Sequence, residues 1–179
     1  MGSDSFVLEE AIALLSRTPA ILIAWLKGLN LSWVHHNEGG ETWNAYDILG
    51  HLVHGEKTDW IPRMKIILRE GDKKFEPFDR FAQFKDSKGK SIEMLLAEFS
   101  TLREQNILLL TESNLSNRDL LKTGIHPTFG EVTLKQLLAA WVAHDCTHLY
   151  QLSRVMAHRY LQEVGPWKEF MGVLKNTEK

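Results

Sequence analysis

From Thr133 to Arg159, apolar residues recur three and four apart. Leu134, Leu137, Leu138, Trp141, Val142, Leu149, Leu152, Val155 and Met156 fall on one broad stripe at about 100° per residue. Thr133 and Gln136 open the stretch as a capping box, the hydroxyl accepting from the Gln136 amide while the Gln136 side chain reaches back. The same period predicts a helix over 45–69, with Asn44 as its N-cap, Gly71 just past its end, and Ile48, Leu52, Trp60, Met64, Ile66 and Leu68 along its buried surface. An earlier helix is interrupted: 6–15 is followed by Thr18-Pro19, which caps and restarts it through about residue 29. A further helix is predicted over 91–112 and a short piece over 167–174. Strand signals are poor, and no repeat or low-complexity tract is present.

The connection over 71–90 is the longest, and it decides topology. About 20 extended residues reach roughly 60 Å, whereas a helix of about 22 residues is roughly 33 Å long. The connection can therefore cross a bundle end to end and set the third helix parallel to the second, while short loops elsewhere favour antiparallel neighbours. The expected fold is all-α: a four-helix bundle, up-down-down-up, with a long crossover between helices 2 and 3, forming one domain over 1–179. Phe75, Phe78, Phe81 and Phe84 either pin this crossover to the bundle or simply cover exposed apolar surface, and the second is the simpler expectation.

Composition narrows the class. With 179 residues and a 44% hydrophobic fraction, the chain can bury one sizeable core. A formal charge of −2 with no basic run argues against nucleic acid as a partner. No apolar run approaches the roughly 20 residues that span a bilayer. The opening Ser3-Asp4-Ser5-Phe6-Val7-Leu8-Glu9-Glu10 is acidic and lacks the basic start of a secretory signal. Cys146 is the only cysteine, which suits a reducing cytoplasm. Six Trp and eight Phe make an apolar homodimer face reasonable.

Chemistry concentrates in the fourth helix. His144 and His148 point the same way about one turn apart, His148 within the apolar stripe and His144 on its shoulder. A buried imidazole needs a partner for each ring nitrogen. An Asp, a Tyr or a backbone carbonyl satisfies a lone histidine, but one cation satisfies two at once. A third ligand would have to come from elsewhere. His35 and His36 lie in a polar loop, His126 precedes Pro127 in another, and His158 suits a helix C-terminus beside Arg154 and Arg159. His51 and His54 remain, and spacing does not rank them, although Gly55 and Glu56 suggest a more polar surface around His54. Cys146, turned about 200° from His144, reads as a structural thiol. Asp145 lies nearer the centre of the stripe than either histidine. It either orients an imidazole on a facing helix or makes a structural hydrogen bond to backbone or Trp.

Several segments, in order, carry a resemblance over nearly the whole chain. They are Thr18-Pro19, Trp43-Asn44-Ala45-Tyr46-Asp47-Ile48-Leu49-Gly50-His51-Leu52, Phe75-Glu76-Pro77-Phe78-Asp79, His126-Pro127-Thr128-Phe129-Gly130-Glu131-Val132-Thr133-Leu134, His144-Asp145-Cys146-Thr147-His148-Leu149-Tyr150-Gln151 and Val164-Gly165-Pro166-Trp167. The chain resembles the DinB-like four-helix-bundle proteins. That resemblance implies the same bundle topology, and His51, His144 and His148 as ligands of a divalent metal ion, zinc or nickel foremost, with His54 a bystander. It also implies a metal-dependent thiol S-transferase using a low-molecular-weight thiol and a small-molecule substrate, in which the ion presents a thiolate to an electrophile. One alternative is metal-dependent hydrolysis, for which Glu56 or Asp145 would have to be the base, since no Glu adjoins the triad as in His-Glu-x-x-His enzymes. The other is a non-catalytic bundle that binds a metal or a partner.

Overall fold

The computed structural model describes residues 6–175, so residues 3–5 of the acidic opening lie outside the described residues. In chain order the helices are α1 (Leu8–Leu15), α2 (Thr18–Leu26), α3 (Leu31–Val34), α4 (Ala45–Thr58), α5 (Trp60–Leu68), α6 (Ala82–Ser87), α7 (Ile92–Glu112), α8 (Asn117–Leu120) and α9 (Leu134–His158). Strands β1 (Thr123–His126) and β2 (Gly130–Thr133) form an antiparallel hairpin before α9, and two 3₁₀ turns follow at Gly165–Phe170 and Gly172–Leu174. The bundle is built from α1 with α2, α4 with α5, α7, and α9.

Local sequence accounts for the ends of the long helices. Asn44 Oδ1 accepts from the Asp47 amide at 2.9 Å and Asp47 Oδ2 from the Asn44 amide at 3.2 Å, which closes a capping box. Thr133 and Gln136 form the expected box on α9, at 3.1 and 2.8 Å. Ser91 caps α7 through the Met94 amide. Thr18 departs from expectation: Arg17 is the N-cap of α2, and the Thr18 hydroxyl is used in the core. The expected helix over 45–69 is interrupted at Asp59, whose φ of −109° and ψ of −70° separate α4 from α5. Pro62 is the physical reason, since it has no N–H for the Thr58 carbonyl and its ring crowds that carbonyl.

Burial divides into two apolar layers that reveal the direction of each helix. One joins Leu22 and Leu26 with Ile48, Leu49 and Leu52, with Ile92, Leu95 and Phe99, and with Leu152 and Val155. The other joins Leu15 with Ile61, Met64 and Ile67, with Leu110, and with Leu134, Leu138 and Trp141. The first layer thus holds the end of the first bundle helix, the starts of the second and third, and the end of the fourth. That arrangement is up-down-down-up. At roughly 1.5–3 kcal/mol per fully buried large apolar side chain, these layers dominate the stability.

The crossover is clasped to the bundle. The hairpin departs from the all-helical expectation: its strands are only four residues each and show no sustained alternation, although they pair locally with each other. Its N–H and C=O groups reach the crossover: Phe75 N–H donates to the Ile125 carbonyl at 2.9 Å, and Ile125 N–H to the Lys73 carbonyl at 2.8 Å. Phe75 is buried in the second layer, so it does pin the crossover. Phe81 and Phe84 are exposed, as the covering role required. Gly124 is needed beneath Phe75, because an added Cβ would lie 2.6 Å from its ring. Gly50 similarly admits α6, since its Cβ would meet Ser87 Oγ at 2.5 Å.

Candidate metal centre

His51 comes from the middle of α4, and His144 and His148 project from successive turns of α9. The helices pack against each other, and the three rings converge. His51 Nε2 stands 3.0 Å from His144 Nε2, and His148 Nε2 stands 3.1 Å from the same atom. Two nitrogens bound to one tetrahedral ion at 2.0–2.1 Å are roughly 3.3 Å apart, so small ring movements admit an ion. Among the described residues these three form the group of His, Cys, Asp or Glu side chains able to share one.

The protonation chemistry favours a cation at this point. Gln151 Oε1 lies 2.9 Å from His148 Nδ1, and an amide oxygen can only accept, so the proton sits on Nδ1 and Nε2 keeps its lone pair. Burial, helped by the His148 and His54 charges, pushes His51 down to about 3. Burial, with His148 and His51, pushes His144 down to about 2. Burial also lowers His148, against Gln151 and Asp145. All three rings are therefore neutral near pH 7, the form that ligates metals. Three facing Nε2 atoms with few protons to share leave lone pairs that a single ion satisfies. The Nδ1 atoms of His51 and His144 are buried without hydrogen-bond partners. The Gln83 amide of α6, itself buried, bears on His51 electrostatically, although neither of its polar atoms makes a well-aligned hydrogen bond.

The rings open into a cleft of about 580 Å³ bounded by the crossover, the hairpin turn and the α4–α5 junction. Trp43 packs on the triad, its ring 5.0 Å from His51 and nearly parallel to His148 at 6.3 Å. Phe78 meets His51 edge-on at 5.5 Å. Asp59 also lines the cleft, two helical turns from His51 and ion-paired with Arg63 Nε at 2.5 Å. Burial holds the Asp59 carboxyl above the usual carboxylate range even against Arg63.

The other sequence candidates fall elsewhere. His54 is buried rather than on a polar surface, but it turns to Asp86 Oδ2 at 3.2 Å. His126 accepts from the Thr128 and Phe129 amides and holds the hairpin turn. His36 and His158 pair with each other at 3.1 Å, and His35 packs on Tyr46. Cys146 is exposed.

Asp145 orients no imidazole, and neither it nor Glu56 is free to act as a base. Both belong to a charged layer between the two apolar ones. Arg103 of α7 donates to both Asp145 oxygens at 2.6 and 3.0 Å, to Glu56 Oε1 at 2.8 Å and to the Leu15 carbonyl at 2.8 Å. Thr18 donates to Asp145, and Trp141 and Asn106 to Glu56. Relative exposures of 1% for Arg103, 2% for Glu56 and 3% for Asp145 exclude solvent from the layer. Its two carboxylates and one guanidinium leave a surplus negative charge whose Asp145 field reaches His148. Sequence reasoning missed Arg103 and Asn106, although both interrupt an apolar helix face.

A helical bundle of this topology with three converging imidazoles defines a class, and comparison identifies it. The DinB superfamily model matches residues 14–152, and the chain belongs to that superfamily. A solved structure with the same fold is YfiT from Bacillus subtilis, described as a probable metal-dependent hydrolase with an unusual four-helix bundle topology. It superposes with a TM-score of 0.74 at 21% identity, covering 89% of this chain and 93% of YfiT. No curated protein matches the chain. Among the described residues no helix is long and apolar enough to cross a membrane.

Proposed function

We propose that the protein is a divalent-metal-dependent hydrolase of a small molecule, with His51, His144 and His148 as the ligands of a zinc or nickel ion. The observation that carries the reading is Asp59, a half-buried carboxylate in the same cleft as the three neutral imidazoles. When bound, such an ion leaves a coordination position open and acidifies water there. Asp59 would be the group to accept that water's proton, and burial raises its proton affinity despite the Arg63 charge. Arg63 holds that carboxylate in place through the ion pair and is itself braced over the Phe75 ring at 5.2 Å. Gln151 keeps the His148 Nε2 lone pair aimed at the site. Trp43 and Phe78 shield the triad from bulk solvent. Asp59, at the break between α4 and α5, is the cleft carboxylate that supports hydrolysis although no Glu adjoins the triad in sequence.

Thiol S-transfer, the activity expected from the resemblance, would use the same open position with sulfur in place of water and would need no base. Protein purified without an affinity tag and loaded with zinc, nickel or manganese separates the two. Esters and amides should be hydrolysed, Asp59→Asn should abolish turnover while keeping the metal, and His144→Ala should lose both. Turnover that requires an added thiol and survives Asp59→Asn would establish the transferase instead. A protein that takes up no metal would be a binding module.

A further inference from the structure

We infer that the cleft takes a small organic anion with a flat apolar body, its charged group on the Arg80 guanidinium and its body against Trp43 and Phe78. The inference deepens the proposed function by naming its substrate class, and Arg80 carries it whether or not a metal is bound.

The charge on the cleft wall is unbalanced. Its lining includes the cations Arg63 and Arg80 but one carboxylate, Asp59, which Arg63 already neutralises. Two of the acidic groups near Arg80 in sequence are committed elsewhere, and the third, Glu76, does not line the cleft. Asp79 accepts from the Phe81 and Ala82 amides and caps α6, and Asp86 turns to His54. Arg80 makes no hydrogen bond or ion pair among the described residues, yet its charge reaches His51 and helps keep that ring neutral. A free guanidinium therefore lines the same cleft as the triad. Three neutral ligands would cancel none of the charge of a dication, so loading the site makes the cleft more positive still. A guanidinium offers paired N–H donors that match a carboxylate or a phosphoryl group.

The rest of the wall is aromatic. Trp43 and Phe78 face the rings, and Phe129 stacks on His126 at 4.4 Å at the hairpin tip. A volume of about 580 Å³ lies within the roughly 300–1,000 Å³ usual for small-ligand sites.

Phenylacetate, phenyl phosphate and the neutral phenylacetamide test this by calorimetric titration of the full chain, both metal-loaded and chelator-stripped. In the stripped protein at least one anion should bind about tenfold tighter than the amide, as one charge-assisted contact allows. The tighter of the two names the charged group. Arg80→Ala, an exposed change that spares the fold, should bring anion and amide to within about twofold, and Arg80→Lys should restore part of the preference. An unchanged preference in Arg80→Ala, or an amide that binds as tightly as both anions, would overturn the inference. If the protein takes up no metal but the stripped form keeps an Arg80-dependent preference, the hydrolase reading fails and this one stands.

Discussion

Replacing Arg103 with Met is the most demanding test of the charged layer. The side chain donates four hydrogen bonds, three of them to carboxylate oxygens, and is 1% exposed. Met fills similar volume but strands Glu56 and Asp145, two negative charges sharing a buried layer. Breaking a buried pair by removing one partner costs about 3–5 kcal/mol, set against a total stability of roughly 5–15 kcal/mol. For a chain of this size about 1 kcal/mol moves the midpoint by roughly 2–4 °C, so a fall of roughly 6–20 °C is expected. Circular dichroism melts at pH 7 measure it. Adding Glu56→Gln and Asp145→Asn removes the stranded charges and should recover at least half of the loss. A single variant that melts within about 3 °C of the parent, or a triple variant no better than the single, would refute the account.

Three further outcomes are expected. Gln151→Leu, which frees the His148 Nδ1 proton, should weaken metal binding by roughly 10–100-fold in a chelator competition while leaving the melt of the metal-free protein in place. His54→Ala should retain stoichiometric metal by elemental analysis, because that ring turns to Asp86; loss of metal there, with His51→Ala unaffected, would put His54 in the ligand set in place of His51. His51, His144 and His148 are all lowered from the ordinary histidine value in the fold. Below about pH 6.5 the unfolded chain therefore binds protons the fold excludes. Metal-free stability should be full above that pH and fall below it, by up to about 1.4 kcal/mol per pH unit for each histidine. Urea midpoints at pH 7.5 and 5.5, compared with those of a His51→Ala/His144→Ala variant, measure the effect, and parallel profiles would exclude it.

What was legible in the sequence was local. The boxes at Asn44–Asp47 and Thr133–Gln136 are three residues long, and the α9 stripe repeats each turn, so periodicity and capping found them. The length of the crossover was enough to set the parallel pair. The break at Asp59 was not read, although its signal, Pro62 three residues on, is local. The hairpin was not legible, since two strands of four residues show too little alternation to register, and its clasp to Lys73 and Phe75 spans about fifty residues. At the triad, i and i+4 spacing places His144 beside His148, but choosing His51 over His54 needed the resemblance, because both are buried on α4 and their partners are on other elements. Asp145 at the centre of an apolar stripe did announce a buried partner. That the partner is Arg103 depends on how α7 sits against α9, and no spacing within either helix encodes it.

The clasp between crossover and hairpin divides the molecule into parts that can change at different rates. Two backbone hydrogen bonds at Ile125 tie the segment carrying Phe78 and Arg80 to the turn carrying His126 and Phe129. These elements form the outer wall of the cleft, whereas the imidazoles stand on the long helices. A sequence could therefore exchange residues 76–81 or rebuild the turn at 126–130 and alter what enters, while the three ligands stay on the long helices and the apolar layers that hold them. Innovation in such a scaffold is easiest at its rim, where two short segments are tied to each other beside the helices that carry the triad.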